Sequence, residues 1–167
     1  MKTPFRVAPS AAVIAASGTM VSADTIKVGV IATFSGPFAV YGKRYREAIE
    51  VYVAEHGTTA GDHEIEFIYK DVGGTNPDTA RALAQELLIR DRVDYLAGFT
   101  FTPNALAVAP LIEQSETPTV IFNAATSSIN KQSEFYVRTS YTLWQVTEPL
   151  APSPPRCSSC CLSVWAS

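Results

Sequence analysis

The order of hydrophobic and polar positions between residues 26 and 138 predicts strands that alternate with helices. Short β-branched or alternating stretches, typical of strands, occur at residues 26–32, 64–69, 93–99, 119–122 and 135–138. Apolar residues recur with helical spacing in segments between them. This alternation predicts an α/β fold in which a parallel sheet carries helices on both faces.

Three of the intervening segments have the features of helices. The first shows apolar residues at positions i, i+3, i+4 and i+7, namely Tyr45, Ala48, Ile49 and Tyr52. The second begins at Asn76 and Pro77, a capping side chain followed by a proline at the first helical position. Thr102 and Pro103 repeat this start, so we expect the Thr102 side chain to cap the third helix. Pro110 lies inside that helix and should kink or shorten it.

Residues 1–23 have the pattern of a secretory signal peptide. A short basic stretch, MKTPFR, precedes an apolar segment rich in small residues, and the sequence VSA at positions 21–23 matches a cleavage site. The apolar segment is shorter than the ~20 residues of a membrane-spanning helix, and it contains Pro9 and Gly18. We therefore expect export without a membrane anchor.

Residues 151–167 differ in composition from everything before them. They contain the three cysteines of the chain, Cys157, Cys160 and Cys161, and show neither a strand nor a helix period. Three thiols without a nearby histidine do not complete the four ligands of a zinc site, so no metal is expected. We predict an irregular tail and interpret the abrupt change as a frameshift or an early end of the reading frame.

Composition and motifs narrow the classes of function. The 13 basic and 16 acidic residues form no basic run, which disfavours a nucleic-acid partner. No glycine-rich nucleotide-binding motif follows the first strand, so no such cofactor is expected. His56 and His63 are predicted in a solvated loop before the second strand, and Asp71 is interpreted as a helix cap or a loop-ordering acid. We therefore predict no catalytic residues and no cofactor.

Polar and small residues gather instead where the predicted strands end. Loops after the carboxyl ends of the strands converge in an open α/β sheet and bind ligands there. These positions are Thr33, Ser35 and Tyr41 after the first strand, Thr100, Phe101, Thr102 and Asn104 after the third, and residues 123–128 after the fourth. Helix N-termini expected after Thr102 and Thr126 would add unpaired N–H donors. With no fixed positive charge and no paired acid, base or nucleophile expected there, the pattern indicates recognition of a carboxylate, although the hydroxyls could instead cap their helices.

Several motifs in residues 26–150 resemble a known family. They are IKVGVIATFSGPFAVYG (26–42), KDVGGTNPDTARALAQELL (70–88), DYLAGFTFTPNALAVAPLIE (94–113), TPTVIFNAATSS (117–128) and YVRTSY (136–141). The stretch resembles the amino-terminal part of periplasmic leucine/isoleucine/valine-type solute-binding proteins of ABC importers, which have the type I periplasmic binding fold. The resemblance implies that residues 24–150 form an incomplete Rossmann-like lobe, since the family continues into a second lobe.

The resemblance also implies a binding site. One lobe of the family holds the carboxylate and ammonium groups of an amino-acid ligand, and the matching positions here are Tyr41, Thr100, Phe101, Thr102, Ala124, Ala125 and Thr126. Phe99 and Phe101 are more aromatic than the leucine-binding pattern. The implied ligands are therefore branched-chain or related amino acids or small carboxylates, aromatic acids included. Trp144 is compatible both with the edge of the cleft and with packing.

These features together predict a periplasmic solute-binding component whose partner is an ABC permease and whose binding is impaired by the early end of the chain. A ligand-sensing domain of the same fold, feeding a receptor or regulator, is one alternative. A small α/β enzyme of flavodoxin-like shape is another. The signal-peptide pattern favours the transport component, and the enzyme would need a catalytic constellation that the sequence lacks.

Overall fold

The computed structural model describes residues 24–150, and the predictions for residues 1–23 and 151–167 lie outside them. The strands are β1 (Thr25–Ala32), β2 (Thr59–Ala60), β3 (His63–Asp71), β4 (Tyr95–Gly98), β5 (Thr119–Ile121) and β6 (Tyr136–Arg138). The α-helices are α1 (Ala39–His56), α2 (Pro77–Gln85), α3 (Thr102–Ser115) and α4 (Leu143–Thr147). A π-helical turn, Glu86–Asp91, continues α2, and 3-10 turns cover Ile129–Lys131 and Glu148–Leu150. All five predicted strands are present, with ends shifted by up to two residues.

The six strands form one sheet in the order β2-β3-β1-β4-β5-β6. Every neighbouring pair is parallel except β2 and β3, which are antiparallel. The predicted α/β class with a mainly parallel sheet is therefore confirmed. The two-residue strand β2 was not predicted, because it is too short to show an alternating pattern. His63 begins β3 and His56 ends α1, so the prediction that both lie in a loop is wrong, although both are exposed.

One face of the sheet packs against α2 and α3 and contains the main core. Side chains of the sheet, of α3 and of the π-helical turn that continues α2 are fully buried there, including Ile31, Leu87, Leu96, Ile112 and Ile121. The start of α2 follows its prediction, because the Asn76 side chain accepts a hydrogen bond from the Thr79 N–H at 3.1 Å. Of the two effects expected of Pro110, a kink or a shortened helix, shortening does not occur, because α3 continues through Pro110 to Ser115.

The opposite face packs against α1. Phe67 pairs in register with Val28, so both side chains lie on this face, and the ring of Tyr45 meets Phe122 edge-on with centroids 5.2 Å apart. Gly42 is the one buried residue of α1. A Cβ atom at Gly42 would lie 2.3 Å from the Thr33 carbonyl oxygen, so the helix approaches β1 more closely here than any side chain allows. The sheet thus has helices on both faces, as predicted.

Candidate ligand-binding site

A left-handed turn at Phe99 leads the chain from β4 into the candidate site. Phe99 has φ 62° and is buried, a conformation that costs a bulky residue about 1–3 kcal/mol. Its N–H donates to the Ile31 carbonyl at 2.8 Å, and its carbonyl accepts from the Ala124 N–H at 3.1 Å. These bonds hold the turn and join the loop after β4 to the loop after β5.

The loops after β4 and β5 are also joined by side chains. The hydroxyls of Thr102 and Thr126 are hydrogen-bonded at 2.9 Å, and the Asn123 amide donates to the Thr100 carbonyl at 3.2 Å. The structure thus brings three of the predicted site residues, Thr100, Thr102 and Thr126, into one group. Ala124 is buried at its base, and Ala125 is half-buried.

Two expectations about helix starts at this edge are wrong. Phe101 is extended and occupies the capping position of α3, while Thr102 is the first helical residue and makes no cap. Its hydroxyl bonds Thr126 instead. No α-helix follows Thr126, since only the 3-10 turn Ile129–Lys131 fits before β6 begins, so the helix-terminal donors expected there are missing. The N–H groups of Ala125 and Thr126 nevertheless make no hydrogen bond within residues 24–150, which leaves them free for a ligand.

The loop after β1 reaches the same edge through aromatic contacts. Phe38 meets Phe101 edge-on with ring centroids 5.1 Å apart. Tyr41 lies in the first turn of α1, not in a loop as predicted, and is 39% exposed. Within residues 24–150 Tyr41 forms no hydrogen bond with Thr102 or Thr126 and no ring pair with Phe101. Phe38 is therefore the aromatic residue that the structure brings to this group, and its place in the SGPFAVYG motif was the only signal for it.

Asp71, at the end of β3, orders the loop after β1. Its Oδ1 accepts hydrogen bonds from the Phe34 N–H at 2.8 Å and the Gly73 N–H at 2.9 Å. Burial alone would raise the pKa of the Asp71 carboxyl, but hydrogen bonds involving Ser35, Gly73 and Phe34 outweigh it and lower the pKa below its usual value. These contacts support the interpretation of Asp71 as a loop-ordering acid.

Unpaired buried hydroxyls lie at two strand ends. The Thr33 and Thr100 hydroxyls are buried without a hydrogen-bond partner among the described residues, and so is the phenol of Tyr45. Burial raises the pKa of Tyr45, and the nearby Thr100 side chain partly offsets this effect. A buried polar atom without a partner is uncommon in native proteins. Because the Thr100 hydroxyl and the Tyr45 phenol lie near each other and are both enclosed, they can serve each other, and neither is open to a ligand.

The strand-end loops themselves carry no positive charge, but a guanidinium from β6 lies behind the loop after β5. Arg138, the last residue of β6, donates from Nη2 to the Thr126 carbonyl at 2.6 Å and to Asn130 Oδ1 at 3.0 Å. Sequence reasoning missed it because Arg138 ends a short strand, and the end of that strand was not counted among the positions that form the site. Trp144, in α4, is 63% exposed.

Comparison with known proteins assigns the family. A sequence profile described as periplasmic binding protein matches residues 25–153. The chain belongs to the periplasmic binding protein family. The Leu/Ile/Val-binding protein homolog 6 of Brucella abortus (strain 2308) is 49% identical to it over 140 residues, which cover 84% of this chain and 36% of that relative. The chain thus spans about a third of the length of the curated relatives it matches.

Solved structures of the family have the same fold as residues 24–150. A solute-binding protein of an ABC transporter from Rhodopseudomonas palustris HaA2, in complex with p-hydroxybenzoic acid, is 54% identical with a TM-score of 0.74, covering 75% of this chain and 34% of that chain. Another from R. palustris, in complex with 4-hydroxybenzoate, is 47% identical with a TM-score of 0.71, covering 77% and 37%. A leucine-binding protein from Thermotoga maritima, 21% identical with a TM-score of 0.65, covers 70% and 33% and shares the fold. Among residues 24–150, no helix has the length and apolarity that crossing a membrane requires.

Proposed function

We propose that residues 24–150 form one wall of a solute-binding site for a small carboxylate, within a periplasmic component of an ABC importer. The observation that carries this proposal is the Thr102–Thr126 hydroxyl pair at the carboxyl edge of the sheet, with the free N–H groups of Ala125 and Thr126 beside it. These loops contain no acid, and the Arg138 guanidinium lies enclosed behind the loop that carries Thr126. Such a set suits an anion, because hydroxyl and N–H donors can bind a carboxylate oxygen and the enclosed guanidinium adds positive charge nearby.

An aromatic acid is the ligand class that the site suits best. The Phe38–Phe101 pair brings a second ring to the loop that carries Thr100 and Thr102, and an edge-on or offset contact with a benzoate ring would extend this cluster. Solute-binding proteins that are 54% and 47% identical to this chain are complexed with p-hydroxybenzoic acid and 4-hydroxybenzoate. We therefore place hydroxybenzoates ahead of branched-chain amino acids as ligands.

Each predicted site residue then has a role. The Thr102 and Thr126 hydroxyls, with the N–H groups of Ala125 and Thr126, would hold the carboxylate, and Thr100, whose hydroxyl is enclosed, would join the two loops through its carbonyl bond to Asn123. Phe101 would contact the ring, and Ala124 would keep the base of the site narrow. Tyr41, exposed on the first turn of α1, would flank the entrance. An ABC permease would be the protein partner and the periplasm the compartment, as the family assignment and the signal-peptide pattern support.

The test compares 4-hydroxybenzoate with its neutral amide, 4-hydroxybenzamide, by NMR titration of the 167-residue chain. One wall contributes only part of the contacts of a closed site, so we expect an affinity weaker than micromolar, corresponding to less than about 8 kcal/mol. Thr102→Ala should weaken the benzoate about tenfold or more, since a hydrogen bond to a charged group contributes roughly 1.5–3 kcal/mol. The amide should lose less.

Two control variants sharpen this test. Thr102→Ser keeps the hydroxyl and should bind nearly as the original chain does. Thr58→Ala removes an exposed threonine beside β2, at the opposite edge of the sheet, and should change nothing. Equal losses for benzoate and amide in Thr102→Ala would show that Thr102 shapes the loop and does not contact the carboxylate.

A further inference from the structure

Arg138 has an unusual environment for a charged side chain. The side chain is half-buried, and its Nε and Nη1 atoms are enclosed without any acceptor among the described residues. Only Nη2 is used, by the Thr126 carbonyl and Asn130 Oδ1. Within residues 24–150 Arg138 makes no ion pair with an aspartate or glutamate, although such pairs occur at other arginines. Its charge is therefore not neutralised by a neighbouring side chain.

The register of β6 explains why the guanidinium lies behind the loop after β5. Arg138 pairs with Ile121, whose side chain belongs to the core between the sheet and α3. Tyr136 lies two residues earlier on the same face of the strand, and its hydroxyl donates to the Ala105 carbonyl of α3 at 2.6 Å. The Arg138 side chain is thus directed to the α3 side of the sheet, where it meets the inner side of the loop carrying Thr126.

We infer that Arg138 is a positioning residue for the carboxylate site. By donating to the Thr126 carbonyl from the inner side of the loop, Arg138 fixes the position of Thr126, whose hydroxyl and N–H face the ligand. Its unpaired charge favours an anionic ligand over a neutral one. The second part, the effect of the charge on the choice of ligand, rests on the proposed function. The first part, the positioning of the loop, does not. The guanidinium acts through Thr126, because its enclosed nitrogens are not accessible to a ligand.

The experiment uses three variants of the 167-residue chain. Arg138→Met keeps an unbranched apolar side chain but removes both the charge and the hydrogen bonds. Arg138→Lys keeps the charge and loses the planar fork that binds two acceptors. Arg81→Met, on the exposed side of α2, is the matched control for loss of an arginine. Amide hydrogen exchange of Ala124 and Ile129, whose N–H groups donate to the Phe99 and Thr126 carbonyls, reports on the loop, and the Leu96 amide in the core reports on global stability.

We expect Arg138→Met to accelerate exchange at Ala124 and Ile129 about tenfold relative to Leu96, as the loss of a charged hydrogen bond predicts. Arg138→Lys should lie between the original chain and Arg138→Met, and Arg81→Met should match the original chain. Unchanged exchange in Arg138→Met, or equal acceleration at Leu96, would mean that Arg138 does not hold this loop and would overturn the inference.

The second readout is the ratio of affinities for 4-hydroxybenzoate and 4-hydroxybenzamide. Arg138→Met should reduce this ratio about tenfold, as the loss of a weakly screened charge near the carboxylate predicts, and Arg138→Lys should restore most of it, because lysine retains the positive charge. A purely structural role would weaken both ligands equally and leave the ratio unchanged, which would overturn the second part. If the original chain binds neither ligand, the proposed function and the charge effect both fail, while the exchange readout still decides whether Arg138 positions the loop.

Discussion

The two faces of the sheet are packed to different degrees. On the side of α2 and α3, apolar side chains such as Leu96 and Ile112 are fully buried. On the side of α1, Tyr52 remains 62% exposed, and an apolar groove of about 390 Å³ lies open. The groove is lined by Tyr45, Ala48, Ile49, Tyr52, Phe67 and Phe122. The difference indicates that the α2 and α3 side provides most of the stability of residues 24–150, and that fewer buried side chains pack α1 against the sheet.

The largest predicted difference comes from equal truncations on the two sides. Ile112→Ala in α3 removes a fully buried side chain and should lower the free energy of unfolding by about 2–5 kcal/mol. Ile49→Ala in α1 removes a half-buried side chain beside the groove and should cost about 1 kcal/mol. Urea unfolding followed by circular dichroism measures both. Equal costs would contradict the comparison.

The next prediction concerns the point at which the α1 side is tightly packed. Gly42→Ala places a methyl group against the Thr33 carbonyl, and the resulting shift of α1 should cost about 1–3 kcal/mol. Alanine is otherwise favoured over glycine inside a helix by about 1 kcal/mol, so any destabilisation must arise from this contact. Stabilisation of the variant in the same urea experiment would show that α1 does not approach β1 so closely.

The strands and helices were predictable from sequence because their patterns are local. The helical spacing of apolar residues after the Asn76–Pro77 start identified α2, and the β-branched stretch beginning at Ile26 identified β1. The same periodicity could not show that α2 ends in a π-helical turn, because one extra residue in a turn barely disturbs an apolar face. Nor could it show the left-handed conformation of Phe99, which depends on bonds to Ile31 and Ala124, distant in sequence.

The candidate site was predictable as a set of loops but not as a set of contacts. Topology alone brings Thr102 and Thr126 to one edge, since both follow parallel strands. Their mutual hydrogen bond depends on α3 beginning one residue earlier than a threonine cap would require, with Phe101 at the capping position. The role of Arg138 depends on the pairing of β6 with β5, which sequence patterns do not specify.

The smallest predicted effect is a pH dependence of stability. The pKa of Asp71 is lowered in the folded chain, so its ionised form stabilises the fold above its unfolded value near 4, and this contribution is lost as the pH falls through the folded value. Asp71 is exposed, so the contribution should be below about 1 kcal/mol.

Asp71→Asn should therefore be less stable than the original chain at neutral pH, with a difference that shrinks below about pH 4. Glu50→Gln, which changes an exposed acid of α1 that forms no ion pair within residues 24–150, is the control and should show no such trend. A difference that stays constant from neutral to acid pH would mean that the charge of Asp71 does not contribute.

The groove on the α1 face and the carboxyl edge of the sheet offer rival places for an aromatic ring, which makes the location of binding the most direct test of the proposed function. Amide chemical shifts can be followed residue by residue while 4-hydroxybenzoate is added to the 167-residue chain. We predict that the largest shifts occur at residues 100–102 and 124–126, at the carboxyl edge of the sheet. Shifts confined to the apolar groove, at Tyr45, Ile49 and Phe67, would contradict a carboxylate site at the strand ends and would show that the ligand binds only through its ring.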